Sequence, residues 1–258
     1  MGSLAGGFLE TLINGFSVPL LILVVSLFRR ERRCRWLDLT TVIGYAVYVA
    51  VGTNLTVLLI QRITRNYDRT FLRLDEMLGF HPVAFADAIS QHRAVMVTLI
   101  LAYAALPIMI GLAWVLEQDL VMRRAVLWGG CLCFVFYALF PAVGPGHFDW
   151  AHQVPMPAPD NCMPSMHLTW ALLIALNARS LRLRIVLWVY AVLVAAATLV
   201  LREHYLVDLI AAVPFTIAVQ WMARHSVEYL SILKAGSRRA IACQLDQSES
   251  RSTSKFTV

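Results

Sequence analysis

Long stretches of this chain carry no charged side chain, and they limit its possible folds more than any other feature. A helix needs about 17 to 25 apolar residues to cross the hydrocarbon core of a bilayer. Seven segments reach or approach that length, the last by extension back to Tyr205, which takes in one acid, Asp208. The segments are 11–28, 39–60, 94–116, 125–148, 161–178, 185–201 and 209–223. We therefore predict a polytopic membrane helix bundle of the all-α class.

The composition supports a membrane protein. Hydrophobic residues make up 59% of the chain and charged residues 15%, which excludes an ordinary soluble globule and a disordered chain. Segment 11–28 could instead be a cleaved signal peptide, but residues 1–8 contain no Lys or Arg and no small-residue cleavage pattern follows. We read this segment as an uncleaved transmembrane helix.

The spans and the charges divide the chain into three parts. Residues 1–36 hold the first transmembrane helix and a basic cytoplasmic loop, and residues 37–223 form a six-helix membrane domain. Residues 224–258 are rich in Ser, Thr and Gln towards their end. Such a segment buries too little apolar surface to fold alone, so we expect a largely disordered cytoplasmic tail.

The basic residues predict the orientation. Short cytoplasmic loops are enriched in Lys and Arg, and most of the 22 Lys and Arg residues lie in every second connection and in the tail. We expect the amino terminus outside and the carboxyl terminus in the cytoplasm. The net charge of +6 then reflects this topology and attraction to the anionic headgroups of the bilayer. No nucleic-acid-binding module is recognisable, so no nucleic-acid partner is expected.

The longest connection, 61–93, contains apolar residues at helical spacing. They are Phe71, Leu72, Leu74, Met77 and Leu78. This pattern predicts a helix lying in the outer interface, either covering the mouth of the bundle or acting as a lid. The five cysteines suggest no disulfide framework. Only Cys162 lies near the outer surface, where we expect a free thiol.

A first group of polar residues lies at the predicted outer start of a span. Residues 164–167 read Pro-Ser-Met-His and follow Asp160, Asn161 and Cys162. Because Pro is favoured in the first helical turn, Ser165 and His167 should lie at the amino end of that helix. Free backbone N–H groups and the helix dipole favour an anion there, such as a phosphate.

A second group begins the last span. Residues 202–208 read Arg-Glu-His-Tyr-Leu-Val-Asp, and on a helix His204 and Asp208 would share one face. A carboxylate that accepts the imidazole N–H fixes the tautomer and leaves the other nitrogen free to attack or to accept a proton. Ionisable groups at membrane depth are expensive, so two histidines and an acid at one surface indicate function.

These motifs resemble those of the type 2 phosphatidic acid phosphatase superfamily. Its patterns are Pro-Ser-Gly-His and, further on, Ser-Arg followed by five residues, His, three residues and Asp. Phe-Pro-Ala-Val-Gly-Pro at 140–145, the Pro-Ser-Met-His and His-Tyr-x-x-Asp at 204–208 are similar to the inositol phosphorylceramide synthase branch. The motif-bearing part covers about 140–214. The resemblance implies a six-helix phosphatase-type core with one extra amino-terminal transmembrane helix.

The resemblance also implies roles at an extracytoplasmic site. His204 would attack phosphorus and become phosphohistidine, Asp208 would orient it, and His167 would protonate the leaving oxygen. Ser165 would contribute to phosphate binding. Neither a metal nor a cofactor is required, because a neutral imidazole is a competent nucleophile. The substrate would be a lipid phosphoester, with water or a lipid alcohol as acceptor, the latter making the chain a phosphotransferase such as an inositolphosphotransferase.

The chain departs from the superfamily pattern in ways that leave the cationic phosphate clamp unassigned. Met166 replaces the usual Gly, and Thr198 stands where Arg is usual. Arg202 is the nearest substitute, although it could equally anchor to lipid phosphates at the interface. Asn161 and His147 are further candidates for substrate or phosphate contacts, and His147 could instead be a solvated loop residue.

The sequence leaves three alternative functions open. The enzyme could hydrolyse phosphatidic acid or a polyprenyl diphosphate without transferring any group to a lipid alcohol. It could be a transporter that uses His167, His204 and Asp208 as a proton relay, although transporter sites usually lie near the membrane midplane. The same residues with Asp160 could bind zinc, and activity would then be lost on chelation.

Overall fold

The computed structural model describes residues 66–117, 120–152, 154–155 and 162–253. Eight α-helices and one short β-ladder form within them. The helices are α1 (Asp68–Met77), α2 (Pro82–Ser90), α3 (Arg93–Ala104), α4 (Leu106–Glu117), α5 (Leu120–Leu139), α6 (Met166–Asn177), α7 (Leu181–Val200) and α8 (Leu206–Thr253), and the strands are β1 (Phe148–Asp149) and β2 (Val154–Pro155). The strands pair antiparallel, with Phe148 opposite Pro155. The prediction of an all-α helix bundle is confirmed, while spans 11–28 and 39–60, and with them the extra amino-terminal helix, lie outside the described residues.

Three helices of the described part are long and apolar enough to cross a membrane. They are α5, α7 and the first part of α8, Leu206–Tyr229. Helices α3 and α4 meet at an angle of 45° and could together form a fourth, broken span. The break follows from Pro107 near the start of α4, since Pro lacks the N–H that would continue helix α3 and its ring clashes with the preceding turn.

The predicted span 125–148 differs from its helix at both ends. Segment 125–148 is helical only to Leu139, because the residue before Pro141 is disfavoured in helical geometry. Its helix starts earlier, at Leu120, and takes in two arginines that the sequence placed in a loop. Arg123 donates to the Trp114 carbonyl oxygen at 3.1 Å, and Arg124 to the hydroxyl of Ser226 at 3.2 Å. Paired in this way, both charges are accommodated at the end of the bundle.

Helix α6 is the short central element. It has 12 residues, fewer than segment 161–178 suggested, and it is buried among α4, α5, α7 and α8. A helix that is apolar on every side packs inside a bundle, and Leu173, Ile174 and Ala175 are fully buried. Near its carboxyl end, the side-chain amides of Asn177 and Gln220 exchange hydrogen bonds of 2.9 and 2.8 Å with each other. This packing fixes the amino end of α6, and with it His167, in the middle of one end of the bundle.

The last helix extends beyond the predicted span 209–223. Helix α8 passes residue 223 and continues to Thr253, whereas the largely disordered cytoplasmic tail expected for 224–258 stays a prediction. The polar side chains of this segment do not by themselves break a helix, because Gln, Glu and Lys have good helix propensity. The division into three parts stays a prediction.

Candidate active site

The two sequence motifs meet at one end of the bundle. His167 lies in the first turn of α6, and His204 lies in the connection just before α8. Although they are 37 residues apart in sequence, Nδ1 of His167 is 3.4 Å from Nε2 of His204. His204 is 4% exposed, whereas His167 is partly exposed. The pair therefore has one buried imidazole and one half-buried imidazole.

Ser165 and His167 lie at the amino end of α6, where the sequence placed them, and Ser165 also caps the helix. Ser165 is the N-cap, and its hydroxyl oxygen accepts a hydrogen bond from the N–H of Leu168 at 3.4 Å. Pro164 stands one residue before this cap rather than inside the first turn, and the Met163–Pro164 peptide bond is cis. The Ser165 N–H donates to the backbone oxygen of Asp208 at 3.2 Å. A direct main-chain bond thus ties the first motif to the second.

Asp208 lies behind His204, on the side away from His167. Its Oδ2 is 3.5 Å from Nδ1 of His204, and it accepts hydrogen bonds from the Tyr205 N–H at 2.8 Å and the Cys162 thiol at 2.7 Å. Asp208 is fully buried, and its Oδ1 has no hydrogen-bond partner in the described part of the chain. The carboxylate faces one ring nitrogen of His204, so the other nitrogen, Nε2, points to His167.

Cys162 is part of this arrangement, which the sequence did not indicate. It is a free thiol, as predicted, but it is 1% exposed instead of lying at the surface. Its sulfur is 3.5 Å from Nδ1 of His204, and burial together with the negative charge of Asp208 raises the pKa of the thiol. The one available signal was its place three residues before the Ser165 cap.

Two buried carboxylates of α1 hold the site together, and neither was predicted from the sequence. Asp68 accepts hydrogen bonds from the N–H groups of Val143 and Gly144 at 3.0 and 2.9 Å. It also accepts one from the Tyr205 hydroxyl at 2.8 Å. Burial raises the pKa of Asp68 above its ordinary value. Asp68 therefore links α1 to the loop after α5 and to the residue that follows His204.

Asp75, the second buried carboxylate of α1, binds backbone N–H groups at the start of α8. Its two carboxylate oxygens accept the N–H groups of Leu206 and Val207 at 2.8 and 2.9 Å. These are N–H groups that a helix start leaves without an intrahelical partner. Burial raises the pKa of Asp75 to about 6. The seven-residue spacing of Asp68 and Asp75, on the same helix face as buried Phe71, was the sequence signal for buried acids.

Helix α7 ends in a turn that sets the direction of the chain into His204. Arg202 has a positive φ of 61° and occupies the place after the helix end where Gly is usual. The N–H of Arg202 donates to the oxygen of Leu199 at 3.1 Å, and the N–H of Glu203 to that of Thr198 at 3.0 Å. This pair of bonds is the Schellman pattern. Arg202 therefore adopts a strained backbone at a site of proposed chemistry.

Gly144 and Gly146 allow the loop after α5 to lie against this turn. Gly144 has a φ of 91°, and a Cβ there would be 2.4 Å from the backbone oxygen of Glu203. A Cβ at Gly146 would be 3.1 Å from both Cβ and the backbone oxygen of Arg202. The Gly146 N–H donates to that oxygen at 2.8 Å. Main chain packs directly on main chain here, which only glycine permits at Gly144.

The remaining candidate residues lie at the rim or outside the described chain. The guanidinium of Arg202 forms an ion pair with Asp87 of α2. His147 lies with Nε2 3.6 Å from an oxygen of Glu203, whose carboxylate raises the pKa of the imidazole. Burial acts to raise the pKa of Glu203, but the contact with His147 and the nearby imidazoles keep it below its ordinary value. Asn161 lies outside the described residues.

The position of the usual superfamily Arg is not available for binding. Thr198 is fully buried, and its hydroxyl donates to the Ala195 oxygen at 2.9 Å. Tyr103 of α3, which the sequence analysis did not single out, stacks on His167 with ring centroids 4.4 Å apart. The stack limits how the His167 ring can rotate.

The described residues contain one group of three with the geometry of metal ligands. It consists of Cys162, His204 and Asp208, whose ligand atoms all lie within 4.8 Å of one another. The metal site considered from sequence used His167 and Asp160 as well. His167 is not a member of the group, and Asp160 lies outside the described residues.

Comparison with known proteins gives a family match that contains this site. The family model described as the PAP2 superfamily matches residues 69–222. That range, more than half of the chain, runs from the second residue of α1 into α8 and includes both motifs. No curated protein matches the chain, and no solved structure does.

Proposed function

Because this chain belongs to the PAP2 superfamily, we propose that it cleaves a lipid phosphoester through a phosphohistidine formed on His204. Membership and the apolar helices make it an integral membrane protein, and membership supports a phosphatase-type lipid phosphoesterase. The inositol phosphorylceramide synthase-like branch, the mechanism and the acceptor are parts of the proposal. The observation that carries it is the contact of two imidazoles backed by one buried carboxylate.

We assign a different role to each ring nitrogen of His204. Asp208 lies 3.5 Å from Nδ1, which favours the tautomer with its proton on that nitrogen. The lone pair is then on Nε2, which attacks phosphorus while the bond from phosphorus to the lipid oxygen breaks. As the N–P bond forms, the imidazole gains positive charge, and the Asp208 carboxylate stabilises it.

His167 is the proposed general acid and then the general base. When protonated, it gives its proton to the departing lipid oxygen. In the second step it takes a proton from the incoming water or alcohol, which attacks the phosphohistidine and restores Nε2 of His204. In-line attack places the leaving oxygen opposite the nucleophile, so the 3.4 Å separation of the rings must widen as the phosphoryl group enters. Catalytic contacts commonly adjust in this way between the free and the bound enzyme.

Phosphate binding is assigned to groups around the two histidines. The amino end of α6 presents backbone N–H groups and a positive dipole end, and Ser165 fixes that end as its cap. Arg202 is the proposed cationic partner, released from Asp87 when the more highly charged phosphate arrives. His147 and Asn161 would contact the headgroup from the loop between α5 and α6.

The acceptor determines the overall reaction. Attack by water on the phosphohistidine makes the chain a phosphatase, and attack by a lipid hydroxyl makes it a phosphotransferase. Similarity of 140–145, 164–167 and 204–208 to the synthase branch favours transfer of a phospho-headgroup to a lipid alcohol. Hydrolysis alone of phosphatidic acid or a polyprenyl diphosphate is the second candidate. By the distribution of basic residues, the active site faces the extracytoplasmic side.

Trapping of the covalent intermediate tests the proposal. Purified protein is mixed with a phosphate-labelled phosphatidic acid, quenched rapidly in alkali and examined for protein-bound label. We expect label on the unaltered chain and on His167→Ala, which lacks only the acid, but none on His204→Ala. His152→Ala is the matched control, because His152 also contacts an aspartate, with Nδ1 2.7 Å from Asp149, yet lies in an exposed loop.

The same preparation identifies the acceptor and the metal requirement. Incubation with a panel of phospholipids and isoprenoid phosphates shows whether free phosphate or a new lipid is formed. Full turnover by His204→Ala would refute the proposed nucleophile. Loss of turnover in the presence of a chelator would refute the metal-free mechanism.

A further inference from the structure

A group of three metal ligands lies behind the nucleophile rather than in front of it. Cys162, His204 and Asp208 contribute sulfur, nitrogen and oxygen, and these residues are 1%, 4% and 0% exposed. The two ring nitrogens of His204 lie on opposite edges of the ring, so the group uses Nδ1 and leaves Nε2 facing His167. We infer that these three side chains form an inhibitory binding site for a thiophilic divalent cation such as Zn²⁺.

The distances are close to those of a tetrahedral zinc site. With bonds of about 2.3 Å to sulfur and about 2.0 to 2.2 Å to nitrogen and oxygen, ligand atoms lie about 3.4 to 3.6 Å apart. In the structure, the Cys162 sulfur is 3.5 Å from Nδ1 of His204, and Nδ1 is 3.5 Å from Oδ2 of Asp208. The sulfur and Oδ2 are closer, at 2.7 Å, and the thiol also lies 3.3 Å from the Glu203 backbone oxygen. A bound cation would displace the thiol proton and widen the distance between the sulfur and Oδ2.

The free oxygen of Asp208 supports a ligand at this place. Oδ1 is buried and accepts no hydrogen bond within the described residues. An unsatisfied buried oxygen of a carboxylate costs free energy, and a cation bound by the carboxylate would offset this cost. The donor set of one thiol, one imidazole and one carboxylate suits Zn²⁺ and other thiophilic cations better than Mg²⁺ or Ca²⁺, which prefer oxygen ligands alone.

Occupation of this site would block the reaction proposed above, on which its inhibitory effect rests. A cation on Nδ1 displaces the ring proton that would otherwise be held on that nitrogen beside the Asp208 carboxylate. It also withdraws electron density from the ring, which makes Nε2 a poorer nucleophile, and it neutralises the carboxylate that stabilises the imidazolium. Because all three ligands are buried, the cation enters only when the chain opens locally. We therefore expect inhibition to develop slowly after zinc is added.

Metal binding and inhibition are measured separately. Cadmium is the spectroscopic probe, because a cadmium–thiolate bond absorbs in the ultraviolet, and Zn²⁺ is the inhibitor in the phosphate-release assay. The variants are Cys162→Ala, which removes the sulfur, and Cys162→Ser, which keeps a group that can hydrogen-bond to Asp208. The control is Cys133→Ala, which removes another buried thiol, one that donates to the Gly130 oxygen.

The inference predicts a loss specific to Cys162. Both Cys162 variants should bind one fewer cadmium ion per chain than the unaltered protein and the Cys133 variant. The zinc concentration that halves the activity of each variant, relative to its own activity without zinc, should rise at least about 100-fold for Cys162→Ala, since even loss of an outer-shell partner of a metal ligand costs 10- to 100-fold in affinity.

The outcomes separate this inference from the proposed function. Equal cadmium stoichiometry and equal zinc sensitivity in the Cys162 and Cys133 variants would overturn the metal site, whatever reaction the enzyme catalyses. A Cys162-dependent cadmium signal in a protein without any phosphoesterase activity would support the metal site and refute the function. If His204→Ala kept the full cadmium–thiolate signal, the imidazole would not be a ligand, and the inference would fail.

Discussion

Replacement of Gly144 by Ala should damage catalysis without touching a catalytic side chain. A Cβ at this position would lie 2.4 Å from the backbone oxygen of Glu203, whereas real Cβ atoms essentially never come closer than 3.0 Å. The carbonyl of Glu203 must therefore retreat by at least about 0.6 Å, the difference between these two distances. The next residue in the chain is His204, so the proposed nucleophile moves with it.

The structure allows a magnitude for each effect of Gly144→Ala. A misplacement of about 1 Å can cost about 100-fold in rate, or roughly 2.7 kcal/mol of transition-state stabilisation. A non-glycine residue at this position, with a φ of 91° and a ψ of 159°, loses about 1 to 3 kcal/mol of folding stability, and forced repacking adds about 1 to 3 kcal/mol. We expect kcat/KM to fall about 100-fold and the free energy of unfolding to fall by about 2 to 6 kcal/mol.

Gly79→Ala is the control that separates strain from displacement. Gly79 has a φ of 75°, but no atom lies within 4 Å of its added Cβ. It should lose about 1 to 2 kcal/mol of stability and keep its turnover. The assay is phosphate release from a short-chain phosphatidic acid in detergent, with thermal unfolding followed on the same samples. Equal turnover of the Gly144 and Gly79 variants would refute the reasoning.

Three further substitutions test individual contacts. Asp75→Asn should lower stability at neutral pH by about 1 to 3 kcal/mol, because the two backbone N–H groups bind separate carboxylate oxygens and the amide would turn its NH2 donor towards one of them. It should also flatten the pH profile of thermal unfolding: burial raises the pKa of Asp75 from 3.8 to about 6, so in the unaltered chain this group lowers stability as pH rises between those values. Met166→Gly restores the usual superfamily residue but removes a 4%-exposed side chain whose Cε lies 3.6 Å from the Cβ position of Gly129, and thermal unfolding should report a loss of about 2 to 5 kcal/mol. Arg202→Gly relieves the positive φ, so stability should rise by up to about 1 kcal/mol while KM for the lipid phosphate rises; an unchanged KM would show that the guanidinium does not bind phosphate.

Local properties of the sequence determined the fold class and the position of the motifs. The uncharged segments predict membrane-spanning helices from their length alone, because each charged side chain placed in lipid adds its own free-energy cost whatever its neighbours are. Ser165 before an apolar run marks a helix start, because an N-cap hydroxyl satisfies an N–H in its own first turn. Pro107 and Pro141 also act locally, because a Pro disfavours helical geometry in the chain just before it. They set helix ends that the uncharged segments alone did not predict.

The tertiary structure decided which distant groups meet at the site. Asp75 holds the start of α8 across 131 residues, Asp68 reaches Tyr205 across 137, and Cys162 reaches Asp208 across 46. No local pattern encodes such pairs, because a carboxylate or thiol on an isolated segment has the same chemistry whether water or a buried partner surrounds it. Only packing of the helices removes the water and supplies the partner. For this reason Cys162, which the sequence placed near the outer surface, is in the structure a buried neighbour of the proposed nucleophile.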